Sequence, residues 1–473
     1  MKFKNFQTWK GSGVPEPSAD GFDCGRKWLV PAFTDSHCHV LPMGLDMQAL
    51  SLVEFTDREA VLTAIAERDR ELEQGLWLRA VQYDQNRFPG PEHLTRAELD
   101  AINPERPILL RHSNGHASVA NSAALAAANV NRDTPDPKGG TYCRDAAGEL
   151  NGLLLERAHE RVTATIPAPS ESEMVAAITD ATRAMQRFGI VRAADMMTGR
   201  WNLRQEIATY DAVAAETGFA FALYVQWADV FGPRGIEAEA LREIALKSGK
   251  VHVAGIKIFA DGAIGSATAA VHEPYITTGE TGALIYAPDR LTSMVVTATE
   301  AGFATCVHSI GDRSTDLVLD AFEASGDPSR HRIEHVMILS DAQIERLAKL
   351  NPLVSMQPEF LTRFRTGYRN QLGPERASKL VRLKSVVDAG LRVVLNSDRP
   401  IVLGDPWVGM KCATDRPDGY DPAENIDFDH AFAMYTHLAA EACGWQGDAV
   451  AFLLYEEDPR TGHPIDPEIV WVS

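Results

Sequence analysis

Apolar and polar positions recur along the chain in one repeated arrangement. A helical stretch ends on glycine, and a short run of consecutive apolar, β-rich residues follows. Residues 174–189 lead in this way into 190–195, 291–302 into 303–308, and 376–390 into 391–396. Glycine at a helix end supplies the left-handed residue that turns the chain back. Runs apolar at successive rather than alternate positions suit strands buried on both faces of a parallel sheet. Runs of this kind occupy 31–37, 189–195, 220–226, 253–259, 303–308, 331–336, 352–356 and 392–397, with helical patterns between most of them. Such alternation predicts an α/β fold with right-handed crossovers. Eight units over this length favour a closed (β/α)8 TIM-type barrel. An open doubly wound sheet is the alternative, but no GxGxxG stands at a strand-to-helix junction to recommend it.

The spacing is uneven once. Residues 38–188 separate the first two runs, far more than a βα loop needs. That stretch has its own signals. Residues 57–74 read as a helix with Val61, Leu62 and Ile65 on one face. LWLRAVQY and RPILLRH read as strands, and 139–156 as a hairpin after a loop rich in Pro and Asp. The expected organisation is a barrel over 31–44 and 165–414, and an inserted α+β domain over 45–164 at the barrel mouth. A reduced auxiliary β domain from 1–30 and 415–473 completes it, and DAVAFLLYEEDP supplies one strand there.

Composition narrows the class of protein. Of 473 residues, 45% are hydrophobic and 23% charged, an ordinary globular balance that excludes disordered, collagen-like and disulfide-scaffold chains. The formal net charge of −19 should repel phosphate backbones and anionic lipid, so neither nucleic acid nor a membrane is an expected partner. Cys24, Cys38, Cys143, Cys306, Cys412 and Cys443 are scattered without a CxxC pair, which argues against a zinc ribbon and fits a reducing cytosol. The opening MKFKNFQTWKGSG carries no apolar signal-peptide core, and no run has the about 18 apolar residues of a membrane span. A cytoplasmic protein acting on a small molecule is expected, with a homodimer as the commonest closed assembly.

Candidate chemistry collects at the ends of the predicted strands. Asp35-Ser36-His37-Cys38-His39 closes the first. Residues i and i+2 of a strand share a side, so His37 and His39 would face inward together and could share one metal ion. Read alone, they are more simply two unrelated histidines at a strand end. His308 and His335 each terminate a later run, where a lone histidine is ordinarily a satisfied polar group and where barrels hold their active sites. Asp398, in Asn396-Ser397-Asp398-Arg399-Pro400, is locally a turn residue before proline. Lys257 lies inside the apolar run 253–259, where a buried ammonium is costly. It could snorkel to the rim, pair with Asp261, or, since burial favours the neutral amine, add carbon dioxide to give an anionic carbamate ligand. Met196, Trp227, Met356, Gln357 and Phe360 follow or end strands and could line a pocket, although core and rim packing explains each. Arg363, Arg365 and Arg369 could meet an acidic substrate, but they read more simply as a solvated loop.

Taken in order, His37, His39, Lys257, His308, His335 and Asp398 resemble the ligand set of the metal-dependent amidohydrolase superfamily: HxH on strand one, Lys on four, His on five and six, Asp on eight. The stretches PAFTDSHCHV, GHASVANSAAL, IKIFADGAIGSATAA, CVHSIGDRSTDLVLDAFE, RIEHV, LVSMQPEF and NSDRP are similar to the YtcJ-like branch, which includes N-substituted formamide deformylases. The resemblance implies one or two divalent cations, Zn²⁺ first among Mn²⁺, Fe²⁺ and Co²⁺, with Lys257 carboxylated if two are bound. It implies Asp398 as the base that activates water. His308, or His116 of the GH…NS motif, would assist the developing oxyanion. The implied activity is hydrolysis of a non-peptide C–N bond in an amide or N-substituted formamide. Lactone or cyclic-amide hydrolysis, deamination, and a catalytically inactive binding protein are the alternatives. The chain departs from the family at its ends. About thirty residues precede the first barrel strand where members usually carry fifty or more, and the turn before the last strands lacks the family's Gly and Lys, so a reduced terminal sandwich is expected.

Overall fold

The computed structural model describes every residue except Lys10, Pro91, Asn114, His116, Lys138, Gly139, Pro233, Arg234, Glu237, Gly447, Asp448, His463 and Ser473. The chain divides into two compact units, Met1–Met43 with Met174–Ser473, and Gly44–Glu173.

The first unit is built on eight parallel strands. They are β1 (Phe33–Cys38), β2 (Ile190–Thr198), β3 (Ala220–Gln226), β4 (Val251–Phe259), β5 (Thr305–Ser309), β6 (Arg332–His335), β7 (Leu353–Met356) and β8 (Arg392–Leu395). Each pairs with its neighbours in chain order, from β1 to β8. Beyond β8 the chain returns to β1: Asp398 N–H donates to His37 C=O and His39 N–H to Arg399 C=O, each at 2.8 Å. The eight-stranded sheet is thereby nearly closed into a barrel. The three helix-ending glycines singled out by the pattern, Gly189, Gly302 and Gly390, have φ of 74°, 82° and 77°. Helices intervene between strands and bury one face each. Helix Asp341–Leu350, for example, starts on a Ser340/Gln343 capping box, buries Ile344, Leu347 and Leu350, and ends on left-handed Asn351.

Strands Trp28–Pro31, Ala451–Tyr455 and Glu468–Trp471 form a separate antiparallel sheet of three strands, packed around Phe3, Leu29, Phe452 and Val470.

The second unit has its own six-stranded mixed sheet, which includes Leu78–Tyr83, Ile108–His112 and the hairpin Gly140–Arg144/Leu150–Glu156. Helix Arg58–Glu71 is capped by Asp57 and buries Val61 and Ile65 in the core of that unit. Among the described residues no helix is long and apolar enough to cross a membrane.

Candidate metal centre

The barrel strands bring most of the candidate residues to one place. The ligand atoms of His37, His39 and Asp398 lie within 4.8 Å of one another. Asp398 Oδ1 stands 3.0 Å from His39 Nε2 and 3.4 Å from His37 Nε2. The two backbone hydrogen bonds that join β8 to β1 hold these three side chains in register. Ring centroids of His37 and His335 are 5.0 Å apart, and those of His335 and His308 are 4.5 Å apart. Lys257, on β4, is 1% exposed, with its Nζ 4.8 Å from the Phe259 ring centroid. Its ammonium acts electrostatically on all three of His37, His308 and His335. His335 and Asp398 both adopt left-handed φ, 75° and 55°. Non-glycine residues occupy that region at a cost that surrounding packing must offset, and such residues concentrate at functional sites.

Hydrogen bonds fix which imidazole nitrogen carries the proton. His37 Nδ1 donates to Glu334 Oε2 at 2.5 Å, leaving Nε2 as the lone pair toward Asp398. His335 Nδ1 donates to Gln357 Oε1 at 2.8 Å, and Gln357 Nε2 donates to Asn396 Oδ1 at 2.7 Å. His308 Nε2 donates to the Gly262 carbonyl at 3.0 Å, leaving Nδ1. Burial, aided by the Lys257 charge, pushes His37 down to about 4 and His308 to about 3, and holds His335 well below the usual imidazole range. Neutral imidazoles are the form that binds metal. Burial alone would raise the Asp398 carboxyl, but His37 and His39 pull it below the usual range, so it is a carboxylate. Burial would likewise raise Glu334, yet Arg332 and His37 hold it well below.

The donor set fits a divalent cation. Buried polar atoms in folded proteins ordinarily have partners, and leaving one unmatched is costly. Here Lys257 Nζ, Asp398 Oδ1 and His39 Nδ1 are buried without a hydrogen-bond partner. The unpartnered Lys257 amine is the group expected to take up carbon dioxide. His37, His39, Lys257, His308, His335 and Asp398 are the residues that could hold one or two ions.

Other expectations fare differently. Lys257 does not pair with Asp261. The Asp261 carboxylate instead accepts from the backbone of Ala270, Ile310 and Gly311 at 2.9–3.0 Å and from Ser314 Oγ at 2.7 Å, the last three just before or within the first turn of helix Asp312–Ala324. Gln357 orients His335 rather than forming an apolar wall, and Met196 and Met356 are fully buried core. Trp227 donates its Nε1–H to the Met294 carbonyl. Phe360 does border the centre, stacked on His335 at 6.3 Å and 14°. Arg363 ends one helix, Phe360–Arg363, and Arg365 and Arg369 lie on the next, Arg365–Ser378, so the segment is not a loop. His116 lies outside the described residues.

Sequence reading missed Glu334. Arg332 and Glu334, two apart on β6, share a face and pair with each other, and Arg332 Nη2 also donates to the Ser36 carbonyl at 3.0 Å. The signal was present: two opposite charges at i and i+2 inside an otherwise apolar strand, directly before His335.

Comparison with known proteins adds to this geometry. A family model described as the amidohydrolase family matches residues 20–448. The putative amidohydrolase YtcJ of Bacillus subtilis is 31% identical over 435 residues, covering 90% of this chain and 81% of that protein. The N-substituted formamide deformylase of Arthrobacter pascens is 28% identical over 452 residues, covering 91% and 82%. An uncharacterized metal-dependent hydrolase from Pyrococcus furiosus shares the fold with a TM-score of 0.78 at 23% identity, covering 97% of this chain and 99% of that one.

Proposed function

The chain belongs to the amidohydrolase family, and on that premise we propose that it is a metal-dependent hydrolase of a carbon–nitrogen bond other than a peptide bond. Its substrate would be a small amide or N-substituted formamide. The observation that carries this reading is the convergence of His37, His39 and Asp398 at the junction of β1 and β8, with the unpartnered Lys257 inside the same barrel.

His37, His39, His308, His335, Asp398 and carboxylated Lys257 would hold the cation, for which Zn²⁺ suits the nitrogen and carboxylate donors best. A divalent cation bound there supplies Lewis acidity and makes hydroxide available near neutral pH. Asp398, held as a carboxylate, accepts the proton of the attacking water as oxygen adds to the carbonyl carbon. The same carboxyl then returns that proton to the amide nitrogen as the C–N bond breaks, so acid and amine leave and Asp398 is regenerated. Glu334 and Gln357 keep His37 and His335 in one tautomer throughout. His308, with its Nε2–H committed to the Gly262 carbonyl, would serve as a ligand through Nδ1, so the oxyanion role falls to His116, on its GH…NS motif alone. The setting is the cytoplasm.

The test is metal analysis of the purified protein followed by an assay panel of formamides, other amides, lactones and aryl amines. Bound divalent metal with turnover confined to the formamides and amides is expected. A metal-free protein, or turnover only of lactones or aryl amines, overturns the reading.

A further inference from the structure

The chain beyond β7 carries rings outward from the candidate centre. Phe360 stacks on His335, Phe364 meets Phe360 edge-on at 5.4 Å, and Tyr368 lies 5.7 Å from Phe364. Tyr368 is buried, and burial pushes its hydroxyl well up. The Tyr420 hydroxyl and the Asp398 carboxylate push the same way, so Tyr368 stands within electrostatic reach of both.

Beside this aromatic run two guanidinium groups converge. Arg365 and Arg369 are one turn apart on helix Arg365–Ser378. A Cβ on Gly419 would stand 2.5 Å from Arg369 Nη1 and 3.8 Å from Arg365 Nη2, so both guanidiniums lie against Gly419, the residue before Tyr420. Tyr420 is 6% exposed, and its hydroxyl is buried with no hydrogen-bond partner. Arg416, also close to Tyr420, is committed to the backbone carbonyls of Leu380 and Val381. Arg365 and Arg369 are committed to nothing: among the described residues neither has a carboxylate, carbonyl or ring partner. Arg365 is half-buried and Arg369 exposed, so an incoming anion can reach both guanidiniums beside the buried, unpartnered Tyr420 hydroxyl. The planar guanidinium fork matches a carboxylate.

We propose that Arg365, Arg369 and the Tyr420 hydroxyl form a subsite for a carboxylate borne by the substrate. Phe360, Phe364 and Tyr368 would take the apolar group between that carboxylate and the scissile bond. The substrate class is then an amide bearing both a carboxylate and an aryl or alkyl group. The reaction rests on the hydrolase reading above, whereas binding at the subsite does not.

Two measurements on the metal-loaded protein separate the ideas. One is steady-state hydrolysis of N-formylphenylalanine against its methyl ester. The other is calorimetric titration with 3-phenylpropanoate against 3-phenylpropan-1-ol, neither of which has a bond to hydrolyse. The wild type should prefer each acid by about tenfold or more, as expected for charge-assisted hydrogen bonds. The Arg365→Ala/Arg369→Ala variant should lose that preference by raising KM for the acid, with kcat and the ester kinetics unchanged, and Tyr420→Phe should lose part of it. Equal treatment of acid and neutral partner by the wild type, a preference that survives in the double variant, or no binding of either probe overturns the subsite. A binding preference that disappears in the double variant, with no hydrolysis of either formamide, upholds the subsite and counts against the hydrolase reading.

Discussion

Glu334 accepts the Nδ1 proton of His37 at 2.5 Å while its other oxygen takes the Arg332 guanidinium. A buried carboxylate, compensated by a buried arginine, thus sets the tautomer of an imidazole whose Nε2 faces Asp398. Partners of this kind commonly contribute tenfold to hundredfold to metal affinity. Glu334→Gln should therefore weaken metal binding by roughly that factor, measured by competition with a chromophoric chelator. Unchanged affinity in a folded variant would mean that the contact serves only packing.

Lys257 is buried, and its amine has no partner. Intact-protein mass spectrometry of gently handled, metal-replete protein equilibrated with bicarbonate should show the added mass of one carbon dioxide. An unmodified lysine in that sample points to a mononuclear site. Lys257→Met should fold, since it removes a buried polar group that has no partner, and should retain fewer metal ions per chain.

Asp398 is the assigned base. Asp398→Asn should lower kcat by roughly 10²–10⁴-fold, the usual worth of general acid–base assistance, with metal still bound. Turnover at the wild-type rate would remove Asp398 from the proton transfer.

His331 gives a pH dependence independent of the centre. Its Nδ1 accepts from the Thr305 amide at 3.1 Å, its ring stacks on Phe322, and burial pushes it down to about 4. Protonation would set a second proton against that amide. Between about 4 and 6.5 the unfolded chain therefore binds the proton and the native one does not, so stability is complete above that window and lost as pH falls through it. Relative to His331→Gln, the wild type should lose up to about 3 kcal/mol between pH 7 and 4 in denaturant titrations. A constant difference across that range contradicts the assignment.

The barrel was legible because parallel strands buried on both faces leave a strong mark. All eight apolar runs are strands, with ends displaced by a few residues, as at β2, which continues to Thr198. The histidines and Asp398 were legible because they stand at the ends of those strands, and Lys257 because it is a cationic side chain inside an apolar one. Their orienting partners were not. Glu334 hid inside β6, next to a His335 whose left-handed φ breaks the alternation that sequence reading relies on. Gln357 looked like lining because nothing local says that its amide meets His335. Arg365 and Arg369 looked like loop residues because Gly367, Gly373 and Pro374 interrupt the helical pattern, and the helix passes Gly373 only with a kink at φ 78°.

The most direct measurement is anomalous diffraction from crystals of the metal-loaded protein, collected on both sides of the metal's absorption edge. A peak bounded by His37, His39 and Asp398, within reach of Lys257, His308 and His335, is the expected result. Metal-replete crystals with no peak there, or with the ion bound elsewhere, would contradict the hydrolase account.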